Sequence, residues 1–143
     1  HVSLYTQLQN RRLIQDIELN VEVEKSIEDY KIMKLLLQPI VENSIIHGIR
    51  NSDIVKGIIH ISVMLKDNMI LISVADNGIG MNQTIINQLM TFDEIHDNSE
   101  YSGGYGLKNV INRLNLYYDY KAGIVFESKQ NIGTTVTITI PYN

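Results

Sequence analysis

Asp76 ends an apolar run and is followed at two-residue intervals by Gly78 and Gly80, in SVADNGIGM, residues 73–81. A carboxylate at the end of a buried strand must find donors. It could accept from the exocyclic amine of a flat base while the glycines let the ring lie against backbone, although Asp-Asn-Gly is also strong turn chemistry by itself. Asn43 offers a neutral oxygen suited to Mg²⁺, which keeps waters and takes its remaining oxygens from phosphates; a core hydrogen bond would satisfy the same amide. Glu42 points about 100° away around the helix, as a proton acceptor or as solvated surface. His47, one turn on, either lines a site or is a satisfied histidine near a helix end. In GGYGL, residues 103–107, Gly103, Gly104 and Gly106 run straight into a helical pattern. Backbone donors converging at such a turn suit phosphate oxygens, and a hinge would use the same glycines. Gly133 and Thr134 open the last strand, where the Thr134 hydroxyl could approach the same base or merely favour the strand.

Composition narrows the chemistry. There are no cysteines among the 143 residues, so disulfides and thiolate metal sites are excluded. No pair of histidines with a carboxylate stands at zinc spacing. The net charge of −4 gives no global attraction to nucleic acid or anionic lipid. No apolar run reaches the roughly 20 residues that cross a bilayer, so direct membrane insertion is not expected. GGYGL is not a P-loop, because no Gly-Lys-Ser/Thr follows, and it does not complete a dinucleotide fingerprint.

The elements that must position these residues follow from periodicity. Ile17, Leu19, Val21 and Val23 alternate with polar residues, which predicts a strand over 16–24 with one wet face. MKLLLQPIVENSIIHGIR has a helical period, with Ile40, Val41, Ser44 and Ile45 on one side, Asn43 and His47 on another, and Pro39 expected in the first turn. GIIHISVMLKDNMILISVAD reads as a hairpin turning at Asp67-Asn68. NQTIINQLM, residues 82–90, could form a short helix, and TFDEIHDNSEYS is polar and aperiodic, as in a mobile surface loop. Leu107, Val110, Ile111 and Leu114 make a second helical stripe. Two more strands, GIVFES and TTVTITIPY, flank a polar turn at 129–133. His60 and His96 read as strand-surface and loop residues. The order β, α, β-β, loop, α, β-β predicts an α/β fold, a two-layer sandwich with a mixed sheet covered on one face by helices.

Taken in order, LLLQPIVENSIIHG, ADNGIGM, GGYGLKNVINRL and GTTVTITIP resemble the asparagine motif and the three glycine motifs of one ATP-binding domain. That domain is shared by sensor histidine kinases, type II topoisomerase ATPases, the Hsp90 chaperones and MutL. The LQPIVEN and HG forms, with the short lid, are most similar to the YesM-like and LytS-like sensor kinases of Gram-positive bacteria. The resemblance covers about residues 16–142. It implies ATP and Mg²⁺ as cofactors, with Asn43 the metal ligand, Glu42 and Asn43 the catalytic pair, and Asp76 the adenine reader. Gly78 and Gly80 would floor the base, and Thr134 would support the adenine contact. His47 would lie beside the nucleotide, and Gly104, Gly106, Leu107 and Lys108 would lie at the phosphates. Residues 82–102 would be the ATP lid, disordered or variable until nucleotide binds.

By the same resemblance, residues 16–143 form the catalytic domain and residues 1–15 the tail of a preceding helical region. The expected reaction is transfer of the γ-phosphate to a histidine on an upstream dimerisation domain absent from this sequence, then to a cognate response regulator. The longer protein is expected to be a homodimeric, membrane-anchored kinase with this domain in the cytoplasm, and the fragment alone to be weakly active or inactive. Two departures stand out. The hydrolysing relatives place a catalytic glutamate where this chain has Pro39, which disfavours a clamp-type ATPase, the alternative reading along with a transfer-inactive nucleotide-binding module. The lysine common in the asparagine motif of many kinases is replaced by Ile46, which leaves triphosphate charge to Mg²⁺, backbone donors and Lys108 or Arg50.

Overall fold

Alternation places Ile59, Ile61 and Val63 on one face of a strand and Ile70, Ile72 and Val74 on the matching face of the next. In the computed structural model, which describes residues 16–27, 34–90 and 104–142, all six are buried. These strands, β2 (Lys56–Lys66) and β3 (Met69–Asp76), form an antiparallel hairpin. Its turn residues Asp67 and Asn68 have φ of 53° and 61°, left-handed values that suit a two-residue turn matched to strand twist.

The last strand, β5 (Gly133–Pro141), pairs antiparallel with β3, and β4 (Gly123–Lys129) pairs with β5 at the far edge. At the other edge β1 (Asp16–Val23) runs parallel to β2. The sheet order is β1-β2-β3-β5-β4. A parallel neighbour requires a crossover. This one carries a 3₁₀ turn at Lys25–Ile27, α1 (Lys34–Asn43) and a π-helical turn at Ser44–Ile49. Two further helices, α2 (Gln83–Met90) and α3 (Gly104–Tyr117), lie between β3 and β4 in sequence.

The core lies between the helices and one sheet face. Ile40, Val41 and Ile45 from the first helical segment and Leu107, Val110, Ile111 and Leu114 from α3 close over the strand isoleucines and valines. On the opposite face, hydroxyl residues fall in register, Ser62 beside Ser73 beside Thr137, and remain partly exposed. This is the predicted two-layer sandwich.

Four local expectations change. Pro39 lies inside α1, not in its first turn, so the helix tolerates one missing N–H and its bond to the carbonyl of residue 35. The helix does not continue with a 3.6-residue period through His47: the Arg50 N–H donates five residues back to the Ile45 carbonyl at 3.0 Å, the wider π spacing found often at functional sites. Of the four apolar residues of β1, Ile17 is buried while Val21 is 53% exposed and Val23 42%. Gly104 and Gly106 belong to the first turn of α3 itself, not to a loop before it. The expected helical tail at 1–15 and residues 91–102 of the expected lid lie outside the described residues.

Candidate functional site

Cross-strand register organises the covered sheet face into rows. One row is Ile72, Ile138 and Ile124; the next is Val74, Val136 and Phe126; the next is Asp76, Thr134 and Ser128. Two residues along each strand, three apolar side chains give way to a carboxylate and two hydroxyls. The covered face therefore ends in a polar edge.

Asp76 is half-buried and accepts from the Gly78 N–H at 2.9 Å, the Ser44 hydroxyl and the Thr134 N–H. Burial pushes its pKa above the ordinary carboxyl value, while these three donors oppose the rise. An ionised carboxylate has about four acceptor positions. Three donors from the chain leave about one for an outside amine or water.

The segment after Asp76 is fastened at Asn77, Ile79 and Met81. The Asn77 side chain accepts from the Ile58 N–H at 2.7 Å and donates to the Lys56 carbonyl at 3.2 Å. The Ile79 N–H donates to the Gly48 carbonyl at 3.0 Å, its own carbonyl accepts from the Asn131 N–H, and the Met81 N–H donates to Ser128 Oγ at 2.7 Å.

The glycines have reasons inside the protein. A Cβ on Gly78 would strike the Gly48 backbone, and one on Gly80, at φ +76°, would strike the Lys129 carbonyl. On Gly133, at φ +145°, it would strike the Asp76 carbonyl. Room for a flat ring is thus not needed to explain Gly78 and Gly80; close approach of the π turn and the β4–β5 turn already demands them.

The first helical segment brings its own groups to this end. Asn43 is 8% exposed and Ser44 3%, and Ser44 reaches Asp76. His47 is half-buried, and burial pulls its pKa below the usual histidine value, so the neutral ring dominates at pH 7. Glu42 accepts from Gln38 Nε2 of its own helix at 3.3 Å, and no described contact joins it to the polar row. In α3 the N–H groups of the first turn, at Gly104–Gly106, have no partner within the helix, which suits this end to an anion. Leu107 is fully buried, with its side chain in the core. Lys108 beside it is only half-buried.

Three residues of this site escaped the sequence reading. Ser44 looked like one more member of an apolar stripe, and its signal was a hydroxyl where only hydrocarbon was required. Gly48 was legible only as part of the HG form, not as the residue whose carbonyl receives the Ile79 N–H, and Ser128 carries no local signal for its bond to Met81, 47 residues away in the chain.

Against known proteins, residues 28–143 match the family model described as histidine kinase-, DNA gyrase B- and HSP90-like ATPase. An uncharacterised sensor-like histidine kinase of Staphylococcus epidermidis is 30% identical over 99% of this chain, and 27% of its own length is covered. The sensor protein LytS of Oceanobacillus iheyensis is 28% identical over 99% of the chain and 24% of its own length. The chain thus spans about a quarter of these relatives. Among solved structures, the nucleotide-free catalytic domain of the histidine kinase ThkA superposes with a TM-score of 0.65 at 16% identity, over 98% of this chain and 86% of its own. The histidine kinase domain of a blue-light activated kinase from Erythrobacter litoralis gives 0.63 at 16% identity, over 98% and 58%.

Proposed function

The chain belongs to the histidine kinase-, DNA gyrase B- and HSP90-like ATPase family, an ATP-binding family, and from that premise we propose that it is the catalytic domain of a two-component sensor kinase. Its relatives that match over nearly the whole chain are sensor kinases by name. The reaction is transfer of the γ-phosphate of Mg-ATP to a histidine on an upstream dimerisation domain, from which it passes to a response regulator. The full-length protein is read as a membrane-anchored homodimer with this domain in the cytoplasm; among the described residues no helix is long and apolar enough to cross a membrane.

The observation that carries this reading is Asp76: half-buried, held by three chain donors, and left with about one acceptor position at the edge of the core. That position suits the adenine amine. The first turn of α3 supplies backbone donors for phosphate oxygens, and Asn43 and His47 stand on the helical segment that reaches Asp76 through Ser44.

Magnesium fits only as a shared ion. No group of three or more His, Asp or Glu that could hold a metal occurs among the described residues, so the protein's contribution is the Asn43 amide oxygen, with Glu42 adjacent to it in sequence. When bound, Mg²⁺ supplies charge neutralisation for the phosphates, which provide most of its non-water ligands. Asn43→Ala is therefore expected to weaken ATP binding in Mg²⁺ more than in chelator, by calorimetry; an equal loss in both would remove Asn43 from the metal.

Proximity governs the phosphotransfer, since aligning donor and acceptor makes a bimolecular step internal. Pro39, with no acidic group, cannot activate water, which favours transfer over hydrolysis. The test joins this chain to its upstream helical half and looks for acid-labile, base-stable phosphate on histidine from γ-labelled ATP. Hydrolysis by the isolated chain with no histidine labelling would instead support a clamp ATPase.

A further inference from the structure

The β2–β3 ladder changes partners just after Asp76. Ile59 pairs with Asp76, so one step further Ile58 faces Asn77, and two beyond that Lys56 faces Ile79. Antiparallel strands exchange two main-chain bonds at every second pair. The Asn77 N–H makes its half of such an exchange, donating to the Ile58 carbonyl at 3.3 Å. The returning bond goes elsewhere: the Ile58 N–H donates to the Asn77 side-chain oxygen, Oδ1, at 2.7 Å. At the next exchange the Lys56 carbonyl accepts from Asn77 Nδ2 at 3.2 Å, where a continuing ladder would use the Ile79 N–H. A main-chain N–H on one side and a carbonyl on the other fix which end of the amide is which. One side-chain amide thus stands in for the Asn77 carbonyl and the Ile79 N–H.

What this releases is Ile79. Its N–H reaches the Gly48 carbonyl of the π turn at 3.0 Å, and its carbonyl accepts from the Asn131 N–H of the β4–β5 turn. The π turn also carries Ser44, a donor to Asp76, and a Cβ on Gly78 would strike the Gly48 backbone. We propose that Asn77 is a positioning residue for nucleotide binding: its amide ends the β2–β3 ladder in place of the main chain, and so lets the loop of Gly78 and Gly80 leave the sheet and close on the π turn that holds Asp76. Without that amide the Ile58 N–H and the Lys56 carbonyl lose their partners, and the chain can replace them only by drawing the loop back toward β2 and away from Gly48. This rests on the nucleotide reading of Asp76, and it assigns no contact between Asn77 and the nucleotide.

The first measurement is calorimetry of ATP and ADP on the 143-residue chain. Asn77→Ala should weaken both nucleotides roughly tenfold, the worth of about two hydrogen bonds. Asn77→Asp separates positioning from mere support of the fold. Its ionised carboxylate accepts but cannot donate, whereas the neutral acid does both. Its loss of affinity relative to the parent, compared at each pH, should therefore be largest near about pH 8 and shrink as pH falls through the carboxyl range; the parent is the control for Asp76, which titrates in both. Parent-like affinity in Asn77→Ala with a lowered denaturation midpoint overturns the proposal, and so does a loss in Asn77→Asp that does not change with pH. Should neither variant fold, the parent decides by hydrogen exchange. Saturating ATP is expected to slow exchange of the Ile58 N–H, since a ligand that needs the closed loop stabilises it, and exchange that ATP leaves unchanged refutes the proposal. A parent that binds neither nucleotide overturns the nucleotide reading itself, whereas a parent that binds both, with variants that match it, loses only the role of Asn77.

Discussion

Two neighbouring rows on the same sheet face have opposite duties. Val74, Val136 and Phe126 are all buried and touch only the core, whereas Asp76, Thr134 and Ser128, one register step further along, are joined by hydrogen bonds to turns from three other parts of the chain. The apolar row gains from non-directional burial and tolerates change in proportion to lost volume. The polar row gains little net stability, because each hydrogen bond replaces one to water. Its geometry is instead specified by partners that would be left unpaired if anything moved. Stability and recognition are thus separated by two residues along a strand.

The largest effect should come from the glycine beside the polar row. Gly133→Ala forces a Cβ against the Asp76 carbonyl at a φ of +145°, and strain and overpacking each cost roughly 1–3 kcal/mol. Both the denaturation midpoint and nucleotide binding should fall, and a variant as stable as the parent would show that the close approach is not required. In the apolar rows, Ile72→Ala should destabilise by about 2–5 kcal/mol while the folded fraction binds ATP normally. If affinity fell with stability, the two rows would not be separable.

Asp76→Asn reverses that pattern. It should cost about 1.5–3 kcal/mol of ATP and ADP affinity, the worth of a hydrogen bond to a charged group, and calorimetry giving parent-like ADP binding would dismiss the adenine assignment. The raised pKa of Asp76 sets two pH trends. Nucleotide binding needs the ionised carboxylate, so affinity should weaken as pH falls through the raised value, and the Asn variant should lack this dependence. For the free protein the sign is the other way. The folded state holds the proton more tightly than the unfolded one, so this group's contribution to stability decreases as pH rises from the ordinary carboxyl range to the raised value.

The smallest effect is expected from Ser44→Ala. Losing one donor to Asp76 should change stability by about 0.5–1.5 kcal/mol and move the pH midpoint of nucleotide binding upward, since the Ser44 hydrogen bond favours the charged carboxylate. A midpoint that stays put would mean that Ser44 does not tune this group.

Much of this arrangement was legible in the residues. Period-two alternation in β2, β3 and β5 and the i, i+3, i+4, i+7 stripe at Leu107–Leu114 are local consequences of strand and helix geometry, and they gave the sandwich. Asp76 was legible because a carboxylate closing an apolar strand needs donors wherever it lies. The purpose of Gly78 and Gly80 was not. A glycine announces that something comes close, but whether that is a ligand or another stretch of backbone depends on contacts distant in sequence, here Gly48 and Lys129. Pro39 misled for a related reason: its preference for a first turn is local, and packing of Ile40, Val41 and Ile45 against the sheet overrode it.

The sequence by itself determined the element types, the mixed sandwich and the candidate Asp76, because each follows from side-chain periodicity or from the chemistry of one residue. Only the tertiary structure decided that Ser44, Gly48 and Ser128 join Asp76 and Thr134. Those facts depend on strand register and on the approach of the π turn to the glycine loop, distances that no local pattern encodes.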